Sequence, residues 1–311
     1  MTGKSLHILV TGGAGFIGSH IVDAYLQAGH RVTVVDNLST GKEANLSPGA
    51  RFVKADIGDP VLGRLFAGGR FDVVNHHAAQ MDVRRSVADP AMDARTNVLG
   101  LLNLLELSRR NGVGKIIFAA SGGTYYGECR LPARESDPPA PLSPYGVSKL
   151  AGEHYIRAYG ALHGLRFTVL RYGNVYGPRQ DPHGEAGVVA IFCRRLSSGA
   201  SVSIFGDGRQ QRDYVHVSDV VRANGLALRR GDGESLNVGT GRAVSVNELF
   251  KTLKAASGSG SAAKRCPSRP GELLRSVLNV ARAKKVLGWT PRVSLEKGLR
   301  ETFLYARGPV S

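Results

Sequence analysis

Residues 6–10, Leu-His-Ile-Leu-Val, run directly into Thr11-Gly-Gly-Ala-Gly-Phe-Ile-Gly18, and a stretch of helical period follows at once. Few features restrict a chain more. Glycine has no Cβ, so a turn rich in it can bend tightly after a strand and let its backbone approach a ligand. The helix that opens there offers unpaired N–H groups and the positive end of its dipole, which together attract an anion such as a pyrophosphate. Asp36 closes the next β-branched run, about 20 residues on, where the dinucleotide fingerprint requires a carboxylate. A carboxylate there accepts both ribose hydroxyls and repels a 2′-phosphate, so the pattern predicts NAD over NADP.

The rhythm around this turn is regular. Apolar runs at 6–10, 31–36, 51–57, 71–76, 115–121 and 167–172 alternate with helical segments, of which 17–28 and 93–110 are the clearest. Such alternation predicts an α/β fold of Rossmann type, a doubly wound parallel sheet with right-handed crossovers. Segment 93–110 is apolar on more than one face: Val98, Leu101, Leu102 and Leu105 form one stripe, and Leu99, Leu104 and Leu107 add others. One stripe suffices to cover a sheet. The spare face predicts a second partner, either another subunit in a homodimer or a loop of the same chain. After Tyr172 come short strands (201–205, 214–217, 236–238) and helices near 190–198, 218–229, 246–256 and 295–306, with a flexible Gly/Ser/Ala loop at 257–263. The expectation is an NAD-binding domain over 1–172 and a smaller α+β nucleotide-sugar domain over 173–311, with elements crossing back between them.

Composition removes other classes. No apolar run reaches the ~18–20 residues of a membrane span, and residues 1–6 lack the basic region and long apolar core of a secretory signal. Cys129, Cys193 and Cys266 include no CxxC pair and read as reduced thiols in a cytoplasm. The net charge of +16 comes partly from scattered doublets such as Arg84-Arg85 and Arg229-Arg230. A nucleic-acid stripe would be clustered and interleaved with aromatics, so the excess fits a diphosphate ligand better. His76 and His77 adjoin, but strand neighbours point to opposite faces. His154, His163, His183 and His216 have no ligand spacing, so no metal is expected.

A second motif, Tyr145-Gly-Val-Ser-Lys149, follows the helix-starting Pro144. Residues four apart share a helix face. A phenol is a poor base near neutrality, and a neighbouring ammonium favours the phenolate. The spacing therefore predicts that Lys149 lowers the pKa of Tyr145 into the range useful for proton transfer.

Together these features resemble the extended short-chain dehydrogenase/reductase superfamily and, within it, the UDP-glucose 4-epimerase group. The likeness runs from Ile8 to about Tyr305 and includes Asp36-Asn-Leu-Ser-Thr-Gly41, His76-His-Ala-Ala-Gln80, Ser121-Gly-Gly-Thr-Tyr-Tyr-Gly127, Arg171-Tyr-Gly-Asn-Val-Tyr-Gly-Pro178, Arg212-Asp-Tyr-Val-His216 and Arg269-Pro-Gly-Glu272. The resemblance implies an isomerase that uses NAD to epimerise carbon four of a UDP-sugar through a 4-keto intermediate. It assigns the pyrophosphate to Gly12, Gly15, Phe16, Ile17 and Gly18. The adenosine ribose falls to Asp36, Asn37, Ser39, Thr40 and Gly41, and the adenine to Asp56 and Ile57. His77, Ala78, Ala79, Gln80 and Asn97 line the cofactor trough. Tyr145 is the acid/base, and Lys149 supports it while contacting the nicotinamide ribose.

In the second half the resemblance gives Asn174, Arg212 and Arg269 to the sugar diphosphate, where guanidinium geometry suits. Gly187, Val188, Ser203 and Phe205 fall in the uridine pocket, Glu272 on the uridine ribose and Ser276 beside the sugar. Many relatives carry a third catalytic hydroxyl at the position of Gly122. Here Ser121 is the first choice and Thr124 the second.

Neighbouring activities imply extra groups. A 4,6-dehydratase would carry an Asp-Glu pair in the loop after the fifth strand, and a UDP-glucuronate decarboxylase an acidic residue. Gly122-Gly123-Thr124 offers neither. Asn174 favours a neutral hexose, so UDP-glucose/UDP-galactose ranks first. UDP-glucuronate/UDP-galacturonate follows, with Arg194 or Arg195 reaching a C6 carboxylate, and small Ser276 leaves room for N-acetylated sugars. A non-catalytic dinucleotide-binding protein that recognises RNA or a regulatory partner is the reading from another class. It rests on Gly122 and the high charge, against the intact Tyr145/Lys149 pair.

Overall fold

The computed structural model of the chain describes residues 4–183, 187–268 and 273–308. Strands β1 (His7–Thr11), β2 (Arg31–Asp36), β3 (Arg51–Lys54), β4 (Val73–His76), β5 (Lys115–Ser121) and β6 (Arg166–Tyr172) pair in parallel. Between them run α1 (Phe16–Gln27), α2 (Val61–Gly69), α3 (Val83–Ala88), α4 (Pro90–Ala94), α5 (Gly100–Arg110), α6 (Gly122–Tyr125) and α7 (Pro144–His163). Alternating residues of each strand feed opposite cores, as period-two geometry requires. Ile8 and Val10 pack with Ile21, Val22, Val34 and Val220 on one face. Leu9 packs with Val35, Leu62, Phe66, Leu101 and Phe118 on the other.

Beyond Tyr172 the chain forms β7 (Asn174–Tyr176), α8 (Val188–Ser197), β8 (Val202–Phe205), β9 (Gln211–Arg212), β10 (Tyr214–His216) and α9 (Val217–Ala227). Next come β11 (Glu234–Val238), β12 (Val244–Ser245), α10 (Val246–Ser257), β13 (Ala263–Cys266), β14 (Arg275–Ser276), α11 (Ala281–Leu287) and α12 (Leu295–Arg307). β11 returns to the large sheet, whose order is β3-β2-β1-β4-β5-β6-β11. Val220 and Ala223 of α9 share the core of α1. Residues 217–238 therefore lie in the first layer, although they follow the second-layer strands in sequence. The smaller layer has its own core, including Tyr176, Phe192, Val202, Leu249, Leu299 and Phe303.

Segment 93–110 is not one uniform helix. A π turn, Arg95–Leu99, joins α4 to α5, and such wide turns gather at functional sites. It rotates the register, so Asn97 is buried while Leu99 remains 58% exposed. Leu101, Leu104 and Leu105 form the buried stripe, and Leu102 is only partly buried.

One buried ion pair ties α7, β6 and the turn after β5 together. Arg171 Nη2 donates to Glu153 at 2.7 Å and to the Tyr125 hydroxyl at 2.7 Å, while Nη1 donates to Tyr126 at 2.9 Å. Removing one partner of a buried pair strands the other charge, which costs about 3–5 kcal/mol. Glu153→Ala is expected to lower unfolding stability by that amount in a denaturant titration. The double variant Glu153→Leu/Arg171→Met should recover much of the loss. A single variant within about 1 kcal/mol of wild type would remove the pair from the stability account.

Candidate active site

The glycine turn lies against the loop after β4. Gly12 has a φ of +71°, and a Cβ on it would fall 2.6 Å from the Ala78 nitrogen. A Cβ on Gly18 would collide with the Gly12 carbonyl, so helix and turn pack backbone to backbone. Gly15 is the N-cap of α1 and brings no side-chain cap, which leaves the Phe16 and Ile17 amides facing the turn. Asp36 Oδ2 accepts from the Ala14 N–H at 3.0 Å and Oδ1 from the Leu38 N–H at 2.8 Å. Each oxygen keeps a further lone pair for a ribose hydroxyl. Gly41 must be small, because a Cβ there would lie 2.8 Å from Asp36 Oδ1. Asn37 donates to Asp56 at 2.9 Å and accepts from the Ser39 N–H, while Ser39 and Thr40 form an exposed rim. Ile57 is buried beneath Gly100. The cradle, the uncapped helix and the poised carboxylate fit a dinucleotide.

The opposite wall is a closed hydrogen-bond pattern. Gln80 N–H donates to Asn97 Oδ1 and Asn97 Nδ2 donates to the Gln80 carbonyl, both at 2.9 Å. The Ala78 N–H meets the Thr11 hydroxyl at 3.3 Å, and Ala79 is half-buried beside it. His76 and His77 do face opposite ways: His76 stacks on Phe118, His77 on Tyr172. Behind this wall stands Asp93, 1% exposed. Its Oδ1 accepts from Gln80 at 3.0 Å and Asn97 at 3.1 Å, and Oδ2 is buried without a partner among the described residues. Sequence reasoning missed Asp93. Its one signal is a carboxylate four residues before Asn97, on the same helical face.

Tyr145 and Lys149 stand on α7, whose start is fixed by Pro144 and by Ser143 accepting from the Gly146 N–H. The Tyr145 hydroxyl faces Ser121 at the end of β5, close enough for Ser121 to favour its ionised form. The expected lowering of the phenol pKa is not found. Burial, reinforced by the Asp93 charge, pushes Tyr145 up to about 12. The reason is geometric: Lys149 Nζ donates to the Ala119 carbonyl at 3.1 Å and lies over the Phe118 ring at 4.9 Å and the Tyr145 ring at 5.9 Å. The ammonium addresses the face of the phenol ring, and desolvation outweighs it. Burial also brings Lys149 down to about 8, with Asp93 opposing.

Packing explains the glycine at 122. A Cβ there would lie 2.7 Å from Leu278 Cδ1 and 3.2 Å from the Tyr172 carbonyl, so a side chain at 122 would have to displace Leu278. A Cβ on Gly123 would lie 3.7 Å from Asn174 Oδ1 and 4.0 Å from Ser121 Oγ, so both side chains border this glycine. Thr124 Oγ1 is buried without a partner among the described residues.

The second layer presents the remaining candidates. β14 pairs with β9 so that Ser276 is the register partner of Arg212. Arg212 Nη1 donates to the Gln211 and Leu274 carbonyls at 2.9 and 3.4 Å. Gly187 and Val188 open α8 without a side-chain cap, while Ser203 is exposed and Phe205 half-buried on β8. Arg194 and Arg195 sit in the last turn of α8, about 10 Å along the axis from Gly187, and Arg194 contacts His183. Arg269 and Glu272 lie outside the described residues.

Residues 8–239 match the model of the NAD dependent epimerase/dehydratase family. The chain belongs to that family. As a member it is an NAD-dependent enzyme of Rossmann architecture. It is 48% identical over 294 residues to a putative UDP-glucose 4-epimerase of Methanocaldococcus jannaschii, covering 94% of this chain and 96% of that one. Among solved structures, the UDP-glucose 4-epimerase of Thermotoga maritima with UDP-glucose superposes at a TM-score of 0.96 with 51% identity, over 97% of this chain and 99% of that one. The Thermus thermophilus UDP-glucose 4-epimerase in complex with NAD gives 0.93 and 47%, over 98% and 100%.

The epimerase/dehydratase-family trough makes Lys149 a pH sensor of stability. Its folded value of about 8 lies below the ordinary 10.5, so between those pH values the unfolded chain holds more protons and stability rises with pH. Wild type should gain up to about 3 kcal/mol on Lys149→Met across that window, read from paired denaturant titrations without cofactor. A difference that stays flat would contradict a buried, cationic Lys149.

Proposed function

We propose that the enzyme interconverts UDP-glucose and UDP-galactose by epimerisation at carbon four. The observation that carries this reading is the placement of the Tyr145 phenol beside Ser121, with Lys149 beneath it, at the mouth of an NAD trough that lacks any acidic residue in the 122–124 turn. The names of the similar enzymes point to the same substrate pair.

Tyr145 takes the proton from the sugar 4-hydroxyl and later returns it. Ser121, beside that phenol, orients the hydroxyl to be deprotonated, and Asn174 borders the same turn. Lys149, still mostly protonated at neutral pH, stabilises the phenolate once it forms. NAD, when bound, supplies the hydride acceptor at carbon four and the donor that restores it from the other side. The 4-keto sugar between the two steps must turn over within the site, so the protein holds the UDP half firmly and the sugar half loosely. Gly187, Val188, Ser203, Phe205 and Arg212, together with Arg269 and Glu272, are assigned to that grip on the nucleotide, and Ser276 to the sugar side. Residues 1–172 would hold the dinucleotide and most of 173–311 the UDP-sugar, with 217–238 returned to the first layer.

The working unit is read as a homodimer. Leu142, Val147 and Leu99 are exposed, beside a cleft of about 530 Å³ lined by Pro90, Val98, Val147 and Ala151 between α4 and α7. A second copy, presenting the same apolar face, would cover it. No helix among the described residues is long and apolar enough to cross a membrane, and a cytoplasmic location fits this reading.

Incubation with UDP-glucose should yield UDP-galactose by proton NMR, faster than UDP-glucuronate or UDP-N-acetylglucosamine is converted in parallel tubes. Faster turnover of the uronate would transfer the assignment to that sugar. Ser121→Ala is expected to lower kcat by about 10²–10⁴-fold with Thr124→Val near wild type. The reverse pattern would move the hydroxyl role to Thr124.

A further inference from the structure

We propose that His77 donates a hydrogen bond from Nδ1 to an oxygen of the bound dinucleotide, and that a buried relay through Tyr172, Asn224 and Asn75 holds it in the tautomer able to do so. The inference rests on the trough being the NAD site and concerns how this chain completes it.

The relay has one consistent sense. Asn224 Nδ2 lies 2.9 Å from the Val220 carbonyl. A carbonyl only accepts, so that atom is the amide nitrogen. Its second N–H points at the Tyr172 hydroxyl oxygen, 2.8 Å away. Asn224 Oδ1 accepts from Asn75 Nδ2 at 3.0 Å, whose other N–H goes to Tyr25 at 2.7 Å. Tyr25 donates onward to the Asn224 carbonyl at 3.3 Å. Every donor of the three residues is thereby committed.

The Tyr172 hydroxyl hydrogen is left with one acceptor among the described residues, His77 Nε2 at 3.1 Å. A neutral imidazole carries a single proton, so accepting at Nε2 puts that proton on Nδ1. Burial and the nearby Lys149 charge hold His77 at a pKa of about 3, which keeps the ring neutral. Nδ1 is buried and has no acceptor among the described residues. The other tautomer would strand both the tyrosine hydrogen and the Nδ1 lone pair. Two unsatisfied groups are worse than one.

Position supplies the missing acceptor. The His77 backbone lies against Gly12, where a Cβ would come within 2.8 Å of the His77 carbonyl carbon. The ring then reaches past the end of β5 to stack on Tyr172 at the end of β6. This is the carboxyl edge of a parallel sheet at the glycine turn, where dinucleotides lie. The oxygens that binding brings there are phosphate and ribose oxygens. Lys149, another buried donor at this edge, is already engaged with Ala119.

Nitrogen-15 histidine NMR of the NAD-saturated protein should show His77 protonated at Nδ1 and not at Nε2. A proton on Nε2, or an imidazolium, would overturn the proposal. Tyr172→Phe should give a mixture of tautomers, and an unchanged Nδ1–H form would remove the relay. His77→Phe should weaken binding of NAD and ADP-ribose about tenfold to a hundredfold by calorimetry. An AMP arm locates the acceptor: a loss shared by AMP assigns the adenosine-side phosphate, and a loss confined to the larger ligands assigns the second phosphate or ribose. Equal affinity of wild type and His77→Phe for NAD sinks the inference alone, whereas failure of wild type to bind NAD sinks the cofactor reading beneath it.

Discussion

Burying an ammonium is expensive, and the centre of this protein is arranged around having done so. Lys149 is withdrawn from water at the floor of the trough, where its charge is offset by the Ala119 carbonyl, the Phe118 ring and the more distant Asp93 carboxylate. Those three groups come from β5 and α4, and Lys149 itself from α7. The same residues that tolerate the charge therefore hold the helix carrying Tyr145 against the strand ending in Ser121. A lysine in this position serves an enzyme that must stabilise a phenolate, and it strains the fold electrostatically when nothing negative is nearby.

The protein alone leaves the trough's polar groups incompletely satisfied. Tyr145 is held protonated by burial, while His77 Nδ1, Asp93 Oδ2 and Thr124 Oγ1 are buried without partners among the described residues. Native proteins leave few such groups, and three around one cleft mark a place that ligands complete. The ionisation that chemistry requires is thus tied to occupancy. A bound nicotinamide would bring positive charge into the trough, and Lys149 would then act in concert with it to favour the phenolate. This coupling discourages proton transfer before the site is filled.

Much of this is legible in the sequence, for local reasons. The glycine turn, Asp36 and the Tyr145/Lys149 spacing each depend on a few neighbouring residues and a fixed backbone geometry, and each lies where its motif predicts. What escapes depends on distant packing. Nothing near Asp93 announces that a π turn will bury it behind Gln80 and Asn97. The return of β11 to the large sheet follows from contacts with β6, about 65 residues earlier in the chain. The glycine at 122 reads as a loss until Leu278 is seen to fill the space a side chain would need. Spacing misleads on the direction of the Tyr145 shift because it places two groups on one face without saying which atoms meet.

Burial would keep Tyr145 protonated until NAD arrives. Carbon-13 NMR of Cζ-labelled tyrosine, titrated with and without NAD and assigned through Tyr145→Phe, tests it directly. The phenol should persist beyond pH 10 in the protein without NAD and ionise at markedly lower pH once NAD is bound. A phenolate near neutrality without NAD, or an ionisation that NAD leaves unmoved, would contradict it.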